Sequence, residues 1–334
     1  MTQTNLRDRI ASPGGIVTEG ISSSTERPSA FAPETSKQNP AETAGGNYPG
    51  NPAARQRTGR TSSIGSFRFL RKSASIVSVA VLAVVLAWAL VPTLFTDADP
   101  ITGNPAARLR PPSAEFLFGT DQLGRDVLAR MIHGSSLSLR ATLIAVAISL
   151  VVGVVIGLIS GFFGGRVDDI LMRIVDVLMA IPGLLLSMAI VTALGFGTVN
   201  VAIAVGIAAV ASFARLSRGE VIRWKNATFV EAATASGVRT GTVIIRHVLP
   251  HAAGPVLALA ALEFGTAVLA VSSLSFLGFG APPPQPEWGL LVAEGRDFLA
   301  SAWWLTTLPG LVVVAVVLAA NQLSRTLQSR EGTS

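Results

Sequence analysis

The chain of 334 residues is 50% hydrophobic and only 14% charged, and this shortage of charge favours a bilayer protein over a soluble domain, which carries about 25% charged residues. It contains no cysteine, which excludes disulfides and thiolate metal sites. The net charge of +6 is spread over loops and the N-terminal region without an aromatic-interleaved basic patch, so we predict no nucleic-acid partner.

Residues 1–72 are rich in Ser, Thr, Pro, Gly and Asn and show no apolar periodicity. Such a segment cannot bury enough apolar surface to offset its chain entropy, so we predict a disordered, polar, cytoplasmic tail. It has no apolar stretch of the kind found in a signal peptide.

Six apolar runs follow, each near the roughly 20 residues that a helix needs to cross the hydrocarbon. Helices satisfy every backbone group within lipid, and the runs lack the polar alternation of barrel strands, so the fold class is an all-α membrane protein. The membrane domain is predicted over 73–328, and 329–334 form a cytoplasmic tail. The predicted spans are 75–95, 138–162, 174–195, 198–214, 253–278 and 303–323.

Lys and Arg near the ends of the spans predict the orientation. With the N-terminus inside, fifteen of them fall on the inner side and five on the outer side, with Arg140 at a boundary. Both termini and the loop 216–251 are therefore predicted to be cytoplasmic, in a multi-pass protein of the plasma membrane.

Small and polar residues mark particular spans. Gly153, Gly157, Gly161 and Gly165 lie on one stripe of the second span, where intrachain helix packing is favoured over a subunit interface. Pro182 and Pro309 are expected to kink their spans because each lacks a backbone donor.

Glu263 lies near the middle of the fifth span, where a carboxylate costs about 2.5–3.5 kcal/mol on the insertion scale. It is therefore expected either to line a water-filled path or to make a buried hydrogen-bonded contact. Asp176 and Asn321 lie nearer the ends of their spans and are interpreted as boundary residues.

The loop 216–251 contains a short helix at Glu231-Ala232-Ala233, because alanine favours helix and a glutamate suits the positive end of the helix dipole. Gly237 is expected to end that helix in a left-handed turn. A second amphipathic segment, with its apolar positions at Val243, Ile244, Val248 and Leu249, is expected to stop at Pro250. The pair predicts a rigid docking element with one apolar face offered to the aqueous side.

This pattern, Glu-Ala-Ala followed by Gly237 and by His247-Val248-Leu249-Pro250, resembles the cytoplasmic loop of ABC-importer permeases. In the outer loop, the string from Phe118 to Arg130 is similar to a signature of the dipeptide/oligopeptide/nickel subfamily, specifically its C-type permease. The signature residues are Gly119, Thr120, Asp121, Gly124, Arg125 and Asp126. The resemblance runs from about residue 68 to residue 328.

The resemblance implies the six-helix type I permease fold, with a coupling helix that inserts into a partner ATPase. The residues implied in coupling are Glu231, Ala232, Ala233, Gly237, His247, Leu249 and Pro250. The implied partners are a second related permease in a heterodimer, two cytoplasmic ATPase subunits that bind ATP and Mg, an extracytoplasmic binding protein, and membrane lipid. The implied solute is a di- or oligopeptide, with nickel or another small solute as the alternative.

Three departures from the subfamily stand out. Val271 replaces a common glutamate, His251 replaces an asparagine, and the sequence after Asn321 diverges, which puts family contacts of the C-terminal tail in doubt.

We predict that the chain is not an enzyme and binds no cofactor itself. None of its lysines, Lys37, Lys72 and Lys225, belongs to a phosphate-binding Gly-Lys-Ser/Thr loop. His247 and His251 have metal-ligand spacing, but Pro250 lies between them and a third ligand is missing, so we predict no metal site. The different-class alternative is a secondary transporter driven by an ion gradient, which requires more charged residues deep in the spans, or inverted repeats.

Overall fold

The computed structural model describes the backbone of residues 63–331 and the side chains of residues 75–326, and within this range the chain is built from helices and connecting loops. The predicted tail therefore lies outside the described residues up to residue 62, and helix α1 begins at Ser63, earlier than predicted. The helices are α1 Ser63–Leu90, α2 Val127–Phe163, α3 Gly165–Ala180, α4 Gly183–Leu194, α5 Thr198–Lys225, α6 Thr228–Ala235, α7 Thr240–Val243, α8 Leu249–Phe276, α9 Trp288–Gly295 and α10 Trp304–Glu331.

Four helical segments in the described range are long and apolar enough to cross a membrane: Val127–Phe163, Thr198–Lys225, Thr240–Phe276 and Trp304–Thr326. The apolar part of α1, Ser75–Leu90, is shorter than a full span. The fifth candidate is the pair α3 and α4, which are bent by 96° relative to each other. The all-helical membrane fold is thus confirmed, whereas the count of six full spans is not.

The predicted span over 174–195 is interrupted at Ile181-Pro182, the position where a kink was expected, and the interruption is a full break between two helices. Ile181 has the extended backbone that a residue before proline prefers, with φ −97° and ψ 130°. Pro182 lacks the N–H that would continue the ladder, so a new helix begins at Gly183. By contrast, α10 continues through Pro309, so that proline does not break its helix.

Helices α2 and α5 form the tightest seam of the bundle. A Cβ added at Gly153 would meet the Val210 carbonyl oxygen at 2.7 Å, and one added at Gly157 would meet the Ala214 carbonyl oxygen at 2.6 Å. The glycine stripe therefore serves intrachain packing, as predicted. Gly165 is the exception, since it starts α3 and faces open space.

The bundle has two polar ends. The Asp121 end comprises the loop 91–126 and the segment 277–303, and the start of α10 joins this loop where Trp304 Nε1 donates to the Thr120 carbonyl oxygen over 3.3 Å. The Glu231 end comprises residues 226–248 and the turn between α2 and α3, where Lys225 Nζ donates to the Phe162 carbonyl oxygen. Both ends carry residues that the sequence singled out.

Candidate functional site

Helix α6 carries Glu231 in its first turn, as predicted for an acidic residue near the positive end of a helix. The helix begins three residues before Glu231, at Thr228, because the Ala227 carbonyl oxygen accepts from the Val230 and Glu231 amides at 2.9 and 3.1 Å. Val230 is buried and directs one side of the helix inward. Glu231 and Ala232 are exposed on the other side.

Gly237 ends α6 in a left-handed conformation, φ +79°, as predicted. The Val238 amide donates to the Ala233 carbonyl oxygen at 3.2 Å, and the Gly237 amide donates to that of Thr234 at 3.0 Å. These two bonds form a Schellman motif, which satisfies carbonyl groups at the helix end. The end of α6 is therefore fixed by backbone geometry.

The second segment of the loop does not stop at Pro250. A π-helical turn over Ile244–Val248 joins α7 to α8, and Pro250 lies in the first turn of α8. Proline is tolerated there because the first amides of a helix have no intrahelical partner. This end of the molecule is thus continuous with a membrane helix.

The apolar positions of this segment face the interior of the chain. Val243 and Val248 are 1% and 0% exposed and pack with Val221 and Val230. The prediction that this apolar face is offered to the aqueous side is therefore wrong for Val243 and Val248, which pack the loop against α5. Ile244 and Leu249 are half-buried. Within residues 243–249 the exposed apolar side chain is that of Ile245, which is 68% exposed.

What the Glu231 end offers outward is a surface of small side chains. Ala232, Ala235, Ser236 and Gly237 are exposed next to Glu231. Small side chains on a fixed helix allow the backbone of another protein to approach closely. A groove of about 370 Å³ borders this surface, lined by Phe162, Lys225, Val230, Glu231, Thr234 and Ala235.

Three rings connect α6 to the ends of α5 and α8. The His251 ring lies edge-on to Trp224 at 4.9 Å and to Phe229 at 5.0 Å, measured between centroids. His251 thus occupies a ring-packing position, where the sequence showed only a departure from the subfamily. His247 is half-buried in the π-helical turn, and the described residues contain no group of three side chains suited to a metal.

At the Asp121 end, the signature residues build a buried ion cluster. Asp121 Oδ2 accepts from Arg125 Nε at 2.6 Å and from Arg130 Nη1 at 3.0 Å. Arg130 Nη1 also donates to Glu294 Oε2 over 2.5 Å, and Arg125 Nη2 lies 3.4 Å from the same oxygen. Asp121, Arg125 and Arg130 are each at most 3% exposed. Asp121 and Arg125 therefore belong to a four-residue cluster that ties α9 to α2.

The remaining signature residues shape the entry to α2. Asp126 caps α2 by accepting from the Leu128 and Ala129 amides at 2.8 and 3.4 Å. Burial raises the pKa of the Asp126 carboxyl, and the two capping bonds oppose that rise. Thr120 is fully buried, while Gly119 and Gly124 adopt positive φ at the turns beside it. The whole signature therefore stabilises this end from within.

Sequence reasoning missed two acidic residues, Glu294 and Glu287. Glu287 is fully buried, and its carboxylate accepts from Ser275 Oγ at 2.6 Å and from the Ala281 amide at 2.9 Å. Burial raises the pKa of the Glu287 carboxyl, and the two hydrogen bonds oppose the rise. The signal available in the sequence was a charged residue between Pro286 and Trp288.

Glu263 lies on the wall of a cavity of about 220 Å³ between α4, α5 and α8. Its Oε2 accepts from Thr266 Oγ1 at 2.7 Å, on the same helix. No Lys or Arg among the described residues lies within 4.0 Å of it. The cavity is lined by Gly183, Leu184, Ser187, Val205, Ala208, Ala209, Ser212, Glu263, Thr266, Ala267 and Ala270.

Residues 153–331 match the family described as binding-protein-dependent transport system inner membrane component, over a range that includes α6 and the Glu263 cavity. The chain belongs to this family. It is therefore a multi-pass membrane subunit of a binding-protein-dependent transport system, and the ABC-importer permease resemblance is confirmed.

Three permeases show how far the likeness extends. The chain is 37% identical over 259 residues to the dipeptide transport system permease protein DppC of Alkalihalophilus pseudofirmus, covering 77% of this chain and 85% of that one. It is 40% identical over 219 residues to the di/tripeptide transport system permease protein DppC of Pseudomonas aeruginosa, covering 64% and 72%. It is 42% identical over 212 residues to the glutathione transport system permease protein GsiD of Escherichia coli, covering 64% and 70%.

Proposed function

We propose that this permease imports di- or oligopeptides across the plasma membrane, driven by ATPase subunits that dock on α6. The similar permeases are named for dipeptide, di/tripeptide and glutathione transport, and a peptide is the solute class that these names share. The matched range contains each membrane helix from the second half of α2 onward. The observation that carries the docking proposal is the exposed small-residue surface of α6, fixed from below by buried valines.

Docking at α6 explains the contrast between its two sides. A contact that transmits force needs a surface that a partner can approach and an attachment that does not yield. Ala232 and Gly237 supply the accessible surface, and the buried Val230 and Val243 supply the rigid attachment. His247, Leu249 and Pro250 lie in the turn that joins this surface to α8, so a displacement of α6 reaches a membrane helix directly.

The assembly that we propose contains a second, related permease, two ATPase subunits that bind ATP and Mg, and a binding protein. The Glu231 end faces the cytoplasm, as the distribution of Lys and Arg predicts, and the binding protein delivers the peptide at the Asp121 end. This chain itself holds neither nucleotide nor metal. Closure of the ATPases moves the two permeases between inward-open and outward-open states.

Uptake of a labelled dipeptide into proteoliposomes that contain the full assembly tests the proposal. We expect Glu231→Lys to abolish ATP-driven uptake and co-purification of the ATPase, with membrane insertion unchanged. The matched control is Glu115→Lys at the opposite end, where the glutamate side chain is 71% exposed and 3.9 Å from Arg110. Normal uptake by the Glu231→Lys variant, or uptake driven by an ion gradient without ATP, contradicts the proposal. Uptake of nickel in place of the peptide contradicts the solute class alone.

A further inference from the structure

Long stretches of three membrane helices carry no charge. Residues 75–90 of α1, 141–163 of α2 and 304–324 of α10 contain no Asp, Glu, Lys or Arg. Glu263 is the one acidic or basic residue of α8, counting His as neutral. It lies fourteen residues, or about 21 Å, from the start of that helix.

Two further charges within the helices are those of Asp176 on α3 and Arg215 on α5. Arg215 Nη2 donates to Asp176 Oδ1 over 2.7 Å, and the two side chains are 54% and 58% exposed. Arg215 lies about 15 Å along the axis from the end of α5. Ser212, three residues earlier on the same helix face, lines the Glu263 cavity. The cavity and the ion pair therefore belong to one surface.

We call this surface the polar face, comprising Asp176, Ser212, Arg215, Glu263 and Thr266. Exposed charges are costly against hydrocarbon, and in membrane proteins they face water or other protein groups. Exposed apolar side chains occupy the charge-free stretches of α2 and α10. Leu143 on α2 and Leu318 on α10 are 55% and 63% exposed, in helical stretches without charge.

We propose that the polar face is the wall of a water-filled path and that Glu263 sets its charge preference. Asp176 neutralises Arg215, whereas Glu263 has only the hydroxyl of Thr266 as a described hydrogen-bond partner of its side chain. Of the charges on the polar face, that of Glu263 is therefore the one without an ion-pair partner, and it favours the cationic part of a solute. With peptide import as proposed above, on which this inference rests, that part is the free amino terminus.

The absence of cysteine from this chain permits a direct test in the complete transport assembly. Single cysteines at Thr266 and Ser212 are treated with a charged, water-soluble methanethiosulfonate reagent, and modification is read from the mass of this subunit. We expect both to be modified, because the reagent needs a hydrated thiolate. Leu318→Cys is the matched control, because Leu318 is exposed in the isolated chain and faces lipid if the proposal holds. We expect this cysteine to stay unmodified.

The charge preference is tested with two reagents of equal size, one carrying an ammonium and one a sulfonate. We expect Thr266→Cys to react about fivefold faster with the cationic reagent, and Glu263→Gln in the same chain to remove that preference. Glu263→Asp should retain most of it.

Thr266→Cys and Ser212→Cys that remain as unreactive as Leu318→Cys overturn the aqueous wall. A preference that survives Glu263→Gln overturns the role of Glu263. Peptide uptake is measured in the same vesicles, so a failure of the proposed function shows as a hydrated path without peptide transport. A failure of this inference shows as peptide transport with an unreactive polar face.

Discussion

Each end of this permease carries a family motif, but the side chains of the two motifs have opposite roles. At the Asp121 end, the signature side chains turn inward and join a four-residue ion cluster that is nearly closed to solvent. At the Glu231 end, Glu231, Ala232 and Gly237 lie exposed, and less prominent valines beneath them provide the attachment. A residue pattern shared within a family can therefore mark buried stabilising contacts at one place and an exposed contact surface at another.

The strongest way to break this comparison is to remove Arg130, which pairs with both Asp121 and Glu294. Arg130→Met leaves two buried carboxylates with Arg125 alone, and opening a buried pair costs about 3–5 kcal/mol. We expect a large fall in the melting temperature of the purified complex in detergent. Arg110→Ala, at an ion pair whose side chains are 50% and 71% exposed, should change stability by no more than about 0.5 kcal/mol. Equal melting temperatures of the two variants contradict a structural role for the cluster.

A smaller effect is expected from Gly237→Ala at the other end. Alanine in the left-handed region costs about 1–2 kcal/mol, and no atom within 4 Å would obstruct its Cβ, so the cost is backbone strain alone. We expect faster hydrogen exchange across α6 and reduced peptide uptake, with little change in global melting. Gly241→Ala, which also faces open space but lacks a positive φ, is the control. Unchanged exchange in α6 after Gly237→Ala shows that the helix end is not set by this turn.

The smallest effect concerns Glu287, whose pKa is raised by burial. A carboxyl with a raised folded-state pKa contributes its full stability below the unfolded-state pKa, about 4.3, and loses it as the pH rises through the folded-state pKa. Glu287→Gln keeps a neutral hydrogen-bonding group at every pH. We expect the variant and the native complex to have the same melting temperature at acidic pH. As the pH rises, the melting temperature of the native complex should fall increasingly below that of the variant. A constant difference between the two melting curves is the contrary result.

Much of the architecture follows from the sequence because apolar length and glycine spacing act locally. The predicted span 198–214 starts at the first residue of α5, and the predicted span 253–278 ends two residues after α8. The contact of Gly153 with α5 follows from the spacing of the glycines. Gly237 was identified as a helix stop for the same reason: a left-handed turn is a property of one residue and its neighbours.

The errors share a different cause, which is tertiary placement. Pro182 signals a weakened helix, but whether it kinks the helix or breaks it by 96° depends on what surrounds it. Val243 and Val248 have the spacing of an apolar face, and the sequence does not say whether that face meets this chain or another. Glu294 joins Arg130 across 164 positions, a distance over which a single sequence gives no pairing signal.

The contact of α2 with α5 through bare glycine backbone has a consequence for how movement crosses the membrane. At Gly153, Gly157 and Gly161 the α2 backbone packs directly on the α5 backbone and on the first carbons of its side chains, so we expect the two helices to translate and tilt as a unit. Because α2 spans 37 residues, about 55 Å, one end of that unit is beside Lys225 and the other holds Arg130. We therefore expect a push received on one aqueous side to arrive on the other as rigid-body motion, without a relay of rotamer changes in between.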